Sequence, residues 1–145
     1  MKKILAIAAT ALLGATVLAG CGSSGGGGQA ATPENVIGTW TLESGKTADG
    51  DIKPAEGAPI TMTVEEGGAV NGSAGCNTYF GEATIADGAV SFGPLGMTMM
   101  YCEEPAGTME AEVAFGVAMD AVDAGKVDGD KLTLTGPDTE LHFKK

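Results

Sequence analysis

Residues 81 to 92 read Gly81-Glu82-Ala83-Thr84-Ile85-Ala86-Asp87-Gly88-Ala89-Val90-Ser91-Phe92. Two short runs of alternating apolar and polar character flank Asp87-Gly88. A period of two sends successive side chains to opposite faces of a strand, one toward a core and one toward water. The Asp-Gly pair accepts the positive φ that a two-residue hairpin turn demands. The segment is therefore predicted to be an antiparallel hairpin, and the device recurs on either side of it. Ile60, Met62 and Val64 alternate with Thr61, Thr63 and Glu65, and Gly67-Gly68 reads as a two-residue turn into Ala69-Val70-Asn71-Gly72. Lys126-Val127 and Lys131-Leu132-Thr133-Leu134 flank Asp128-Gly129-Asp130. Ile37 to Leu42 begins a further strand, and Glu140-Leu141-His142-Phe143 closes the chain as the last one. Ser44 to Pro59, with its Gly, Asp and Pro, reads as one long irregular loop.

One segment departs from this rhythm. From Thr108 to Val122, Met109, Glu112, Phe115, Met119 and Val122 recur at three- and four-residue spacing, after Pro105 and before Gly125. That spacing predicts an amphipathic helix with its Met and Phe stripe turned to the core. The fold class is therefore α+β, mainly antiparallel β with one packed helix. Its expected core is Trp40, Ile60, Met62, Val64, Ile85, Val90, Phe92, Met97, Met99, Phe115, Met119, Leu132, Leu134 and Phe143.

The N-terminus carries an address. Met1-Lys2-Lys3 is followed by an uncharged apolar run from Ile4 to Leu18, the build of a secretory signal peptide and too short for a comfortable mature span. The run ends in Leu18-Ala19-Gly20-Cys21, which resembles the bacterial lipobox. Residues 1–20 are read as the lipoprotein signal peptide, and Cys21 as the residue that takes a diacylglyceryl group and, in mature lipoproteins, palmitate-type acylation. Residues 21–34 are read as acylated Cys and Gly/Ser-rich tether, and 35–145 as the globular domain. The expected site is a lipid anchor in the cell membrane or outer membrane, with the domain on the extracytoplasmic side. Gly22, in place of Asp, is compatible with outer-membrane delivery in a two-membrane cell.

Charge excludes some partners. The 145 residues hold 8 Lys, no Arg and 19 acidic residues. Cleavage after residue 20 removes Lys2 and Lys3, leaving six lysines against 19 carboxylates and a net charge of −13. Nucleic acid is not an expected partner, because phosphate backbones are held by Lys and Arg. Anionic headgroups would repel the domain too, so membrane attachment rests on the acyl chains at Cys21.

Chemical motifs are sparse. Gly45-Lys46-Thr47 looks like the end of a phosphate-binding loop, but Trp40 stands where its first Gly must be. Asp49-Gly50-Asp51 and Asp128-Gly129-Asp130 have Lys53 and Leu132 where a calcium loop needs acids, so both read as turns. His142 is the sole imidazole, and its spacing from Cys76 and Cys102 fits no zinc site. No catalytic residue, metal or cofactor is expected.

The stretch Gly72-Ser73-Ala74-Gly75-Cys76-Asn77-Thr78-Tyr79-Phe80-Gly81 resembles the G-x-x-G-C-N-x-Y-x-G signature of the META domain, the HslJ-like family, with motif residues at Gly75, Cys76, Asn77, Tyr79 and Gly81. Gly38-Thr39-Trp40, Met97 to Cys102, Glu112 with Phe115, and Gly129 to Leu134 resemble further elements of that family in order. Met100 and Tyr101 depart from it, since smaller residues are commoner beside that Cys. The resemblance implies a curved antiparallel sheet or small barrel with one packed helix. It also implies a general link to envelope stress and antibiotic tolerance, with no established molecular activity. Gly75 and Gly81 bracket a place where a strand is expected to turn or bulge, and Asn77 tolerates the left-handed region. Asn77 and Tyr79 thus read as structural, with a ligand contact as the alternative. Cys76 and Cys102 are an even remainder in an exported domain, placed by the family pattern in one sheet region, which favours a disulfide over two buried free thiols. The function expected is a non-catalytic, membrane-anchored envelope domain binding a protein or small ligand in stress tolerance. The alternative is an enzyme acting on an envelope substrate through a carboxylate site.

Overall fold

The computed structural model describes residues 27–145; the segment read as a signal peptide and Cys21 lie outside the described residues. The strands are β1 (Gln29–Ala30), β2 (Gly38–Thr47), β3 (Gly50–Ile52), β4 (Thr61–Val64), β5 (Ala69–Ser73), β6 (Thr78–Ala86), β7 (Ala89–Phe92), β8 (Gly96–Met97), β9 (Ala124–Asp128), β10 (Lys131–Gly136) and β11 (Thr139–Lys144), with helix α1 (Thr108–Ala121) between β8 and β9. The antiparallel path runs β9-β10-β11-β2-β4-β5-β6-β7, and the pairing of Ala89 with Ala124 joins β7 back to β9. Eight strands thereby close into a barrel, with the β7–β9 seam made by that one pair. β1 adds to β9, β3 to β2 and β8 to β6.

Turn chemistry sets much of this. Asp87 at φ 47° and Gly88 at φ 91° make the two-residue turn expected between β6 and β7. Between β4 and β5 the turn is longer than expected: Glu65 N–H donates to the Ala69 carbonyl at 2.8 Å, so Glu66, Gly67 and Gly68 together form the loop. The stretch read as an irregular loop from Ser44 to Pro59 is half hairpin. β2 continues to Thr47 and turns at Ala48-Asp49 into β3, because cross-strand pairing with β11 on its other side carries the strand past its apolar alternation.

The last part of the stretch read as a tether is also folded. Gln29 and Ala30 pair with Val127 and Lys126, Ala31 is fully buried, and Thr32 and Asn35 exchange side-chain to backbone hydrogen bonds. Composition pointed to a free coil, but β9 offers an edge beyond the end of β7, and the chain takes it.

Antiparallel strands alternate in direction, so the connections sort onto two ends of the barrel. The turns at 66–68, 87–88 and 129–130, the C-terminus and the start of β2 share one end. The chain arrives at that end too, since Gly28 lies against Val127 and Asp128. The 74–77 connection, the 93–107 segment, the β2–β3 turn and the 137–138 turn share the other. α1 lies across this second end, touching β2 and β7, which stand opposite each other in the ring.

The helix buries Thr108, Ala111, Glu112, Phe115, Ala118 and Met119. Phe115 sits between Tyr79 and Phe143, with ring centroids 5.5 and 6.5 Å away in tilted and edge-on geometry. Trp40 fills the opposite part of the core, its indole N–H donating to the Val36 carbonyl at 2.7 Å. Most of the expected core is buried, and Ile85, Phe92 and Met97 pack against it while only partly covered. Met99 is a correction: it is 97% exposed. Its strand ends at Met97, Asn77 then holds the Thr98 hydroxyl on one side and the Met100 N–H on the other, and the Met99 side chain between them stands outward. Tyr79, Ile52 and Leu141 are core members that alternation alone did not pick out.

Phe115→Ala should lower unfolding free energy by about 3–5 kcal/mol in urea melts, the usual cost of deleting a fully enclosed ring. Met99→Ala should change it by less than about 0.5 kcal/mol.

Candidate functional site

The sequence signature folds into a join between three pieces of chain at the helix end. Asn77, 2% exposed, uses every hydrogen-bonding position of its amide. Nδ2 donates to Glu112 Oε1 at 2.7 Å and to the Met100 carbonyl at 3.0 Å. Oδ1 accepts from the Thr98 hydroxyl at 2.8 Å and from the Met100 N–H at 2.7 Å. The Asn77 backbone N–H donates to Glu112 Oε2 at 2.7 Å, so both oxygens of this buried carboxylate are engaged by one residue. Thr98 in turn accepts from the Thr78 N–H at 3.1 Å. Among the described residues no buried side-chain nitrogen or oxygen lacks a partner.

Cys76 and Cys102 are joined in a disulfide with Cα atoms 5.9 Å apart, across the same junction. Cross-linking positions 26 apart restricts the unfolded chain enough to stabilise the fold by roughly 3–3.5 kcal/mol in the chain-entropy account.

The motif glycines differ in their reasons. Gly75 has φ 108°, and a Cβ there would press on Thr108 at 3.2 Å, so the expected turn stands. Gly81 does not turn the chain: it lies inside β6, and a Cβ would meet Leu95 Cδ2 at 2.6 Å. Asn77 is not in the left-handed region either; what its position asks for is an amide with two donors and two acceptors. Tyr79 is fully buried and its hydroxyl donates to the Thr61 carbonyl at 2.9 Å. Burial pushes its phenol well above the ordinary range, because the phenolate would be stripped of water.

What this join presents outward is apolar. Met99, Met100 and Tyr101 are 97, 60 and 77% exposed, flanked by exposed Glu103 and Glu104. The backbone beneath them is fixed by Asn77 at Met100 and by the disulfide at Cys102. The large residues that depart from the family pattern therefore meet solvent and disturb no packing. Sequence reasoning placed Glu112 on the apolar face of α1 but not as the partner of Asn77; an acid in the middle of a core-facing stripe was the signal available.

The remaining candidates lie apart. His142 Nε2 pairs with Glu140 at 3.0 Å on β11, and Gly45-Lys46-Thr47 is ordinary β2 strand. Asp49-Gly50-Asp51 and Asp128-Gly129-Asp130 sit at hairpin turns. Among the described residues no group of three His, Cys, Asp or Glu could hold a metal ion, and no helix is long and apolar enough to cross a membrane.

The META domain family pattern matches residues 34–145. An NMR structure of a protein from Burkholderia xenovorans is similar at 28% identity and a TM-score of 0.64, over 86% of this chain and 94% of that one. A second NMR structure shares the fold at 23% identity and a TM-score of 0.60, over 79% of this chain and 94% of that one. No curated protein matches.

Asn77→Leu should cost about 2–4 kcal/mol in denaturant melts, because it leaves the Glu112 carboxylate and the Thr98 and Met100 donors short of partners in a buried place. Tyr79 gives a pH signature. Its folded-state pKa lies above the unfolded one, so its contribution is complete below about pH 10 and is lost as pH rises further. Between about pH 10 and 11.5 the wild type should lose up to about 1.4 kcal/mol per pH unit more than Tyr79→Phe, read from urea midpoints at each pH.

Proposed function

The chain belongs to the META domain family, and on that premise we propose that it is a membrane-anchored envelope lipoprotein whose domain binds a partner protein or small ligand without catalysing a reaction. The observation that carries the reading is the Met99-Met100-Tyr101 segment. Three consecutive large apolar side chains stand in water on a backbone pinned at Met100 and Cys102. Exposing them has a solvation cost, while pinning removes ordering entropy that a partner would otherwise have to supply.

The two ends of the barrel support the arrangement. Cys21, as the diacylglyceryl-bearing residue, contributes the two acyl chains that stable anchoring needs. From Cys21 to Gln29 a fully extended chain spans no more than about 28 Å. It arrives at the end opposite α1, so the Met99–Tyr101 segment lies on the side away from the anchor. The non-catalytic part of the proposal rests on Glu112: the buried carboxylate next to the signature has both oxygens occupied by Asn77. A role in envelope stress or antibiotic tolerance is the setting in which such a module would act.

Two measurements test this. Wild-type protein should partition into the detergent phase and Cys21→Ser into the aqueous phase; equal partitioning would remove the anchor from the proposal. The mature domain, immobilised against envelope extract, should retain a partner that a Met99→Ser, Met100→Ser, Tyr101→Ser variant of unchanged melting temperature does not. Retention of the same material by both would show that this segment is not the binding face.

A further inference from the structure

A second apolar surface lies on the outer side of α1. Met109, Val113, Ala114 and Val117 form one wall of a groove, and Thr47 and Asp49 from the β2–β3 hairpin form the other. Its volume is about 440 Å³, within the span typical of small-molecule sites. Val113 and Val117 are 65 and 52% exposed, although they sit two and six residues from the buried Ala111 on the same helix. The polar lining consists of Thr47 and two carboxylates, Asp49 and Glu110. Among the described residues neither acid takes part in an ion pair. No lysine lines the groove. Lys53 belongs to an adjoining depression with Asp51, Gly107, Glu110 and Ala111.

An apolar trough with acids at its rim and no cation of its own is complementary to one kind of molecule. We infer that the groove binds a lipophilic monoamine, its hydrocarbon body against Met109, Val113 and Val117 and its ammonium between Asp49 and Glu110. A neutral body of the same shape would gain the apolar contacts alone. A carboxylate on that body would meet two like charges, Asp49 and Glu110, at the rim and lose the attraction that the ammonium gains. The groove shares no residue with the Met99–Tyr101 segment, so this site and the proposed binding face stand or fall separately.

The test uses the mature domain and three ligands with one body: 4-phenylbutylamine, 4-phenylbutanol and 4-phenylbutyrate. Amide chemical-shift titration should show saturable binding of the amine, with shifts centred on Thr47, Asp49 and residues 109–117. The alcohol should bind more weakly at the same place, and the carboxylate should not bind there. Asp49→Asn with Glu110→Gln should weaken the amine at least tenfold and leave the alcohol unchanged, while Val113→Ser with Val117→Ser should weaken both. Both pairs are surface substitutions, and an unchanged melting temperature checks that the fold is intact. Equal binding of amine and carboxylate, amine affinity indifferent to the Asp49/Glu110 pair, or no shift in the groove at about 10 mM amine would overturn the inference.

Discussion

A carboxylate taken out of water must find donors or the helix that carries it will not dock. Glu112 meets that requirement through a single residue, accepting from both the backbone and the side chain of Asn77. The helix end depends on this contact. It fixes how α1 sits across the barrel, and through the other face of the same amide it fixes Thr98 and Met100. Remove the amide and the helix keeps its apolar contacts at Phe115 and Met119 and the backbone N–H of residue 77, but one oxygen of the buried carboxylate loses its donor. The disulfide spans the same junction and acts on a different quantity, restricting the unfolded chain where Asn77 satisfies the folded one.

The barrel's alternating connections then give the molecule two unlike ends. Turns of two or three residues close one end, where the buried Ala31 and Val36 and the Trp40–Val36 hydrogen bond seal the core. The helix and the 93–107 segment occupy the other beside the β2–β3 and 137–138 turns, and there the chain leaves Met99, Met100 and Tyr101 in solvent. The loop that carries them is held by Asn77 at Thr98 and Met100 and by the disulfide at Cys102. The groove on the outer side of α1 belongs to the same end, opposite the end at which the chain enters the barrel at Gly28.

Much of the fold was legible in order. The Asp87-Gly88 hairpin, the helix beginning at Thr108 and the strands after Lys126 follow from turn chemistry and periodicity, because those signals act between neighbours in the chain. The misreadings share a cause. β1, the extension of β2 and the β3 hairpin depend on an edge supplied by a strand distant in sequence, so Gly-rich or irregular composition concealed them. Met99 alternates correctly with Met97, yet the strand has already ended, and an amide 22 positions earlier decides where it points. Of the candidate site, the Cys pair and the signature were visible as a resemblance. That Asn77 is needed as a four-bond amide, and not for its backbone tolerance, was not.

By itself, then, the sequence determined the local alphabet of this protein: most of its strands, where a helix interrupts them, how acidic the chain is and that Leu18 to Cys21 resembles a lipobox. Those are properties of neighbours and of sums, and they need no third dimension. Tertiary structure alone decided closure of the sheet by Ala89 and Ala124, the pairing of Asn77 with Glu112 and the outward display of Met99, Met100 and Tyr101. Each of these joins groups far apart in the chain, whose meeting is fixed by the register of every strand between them.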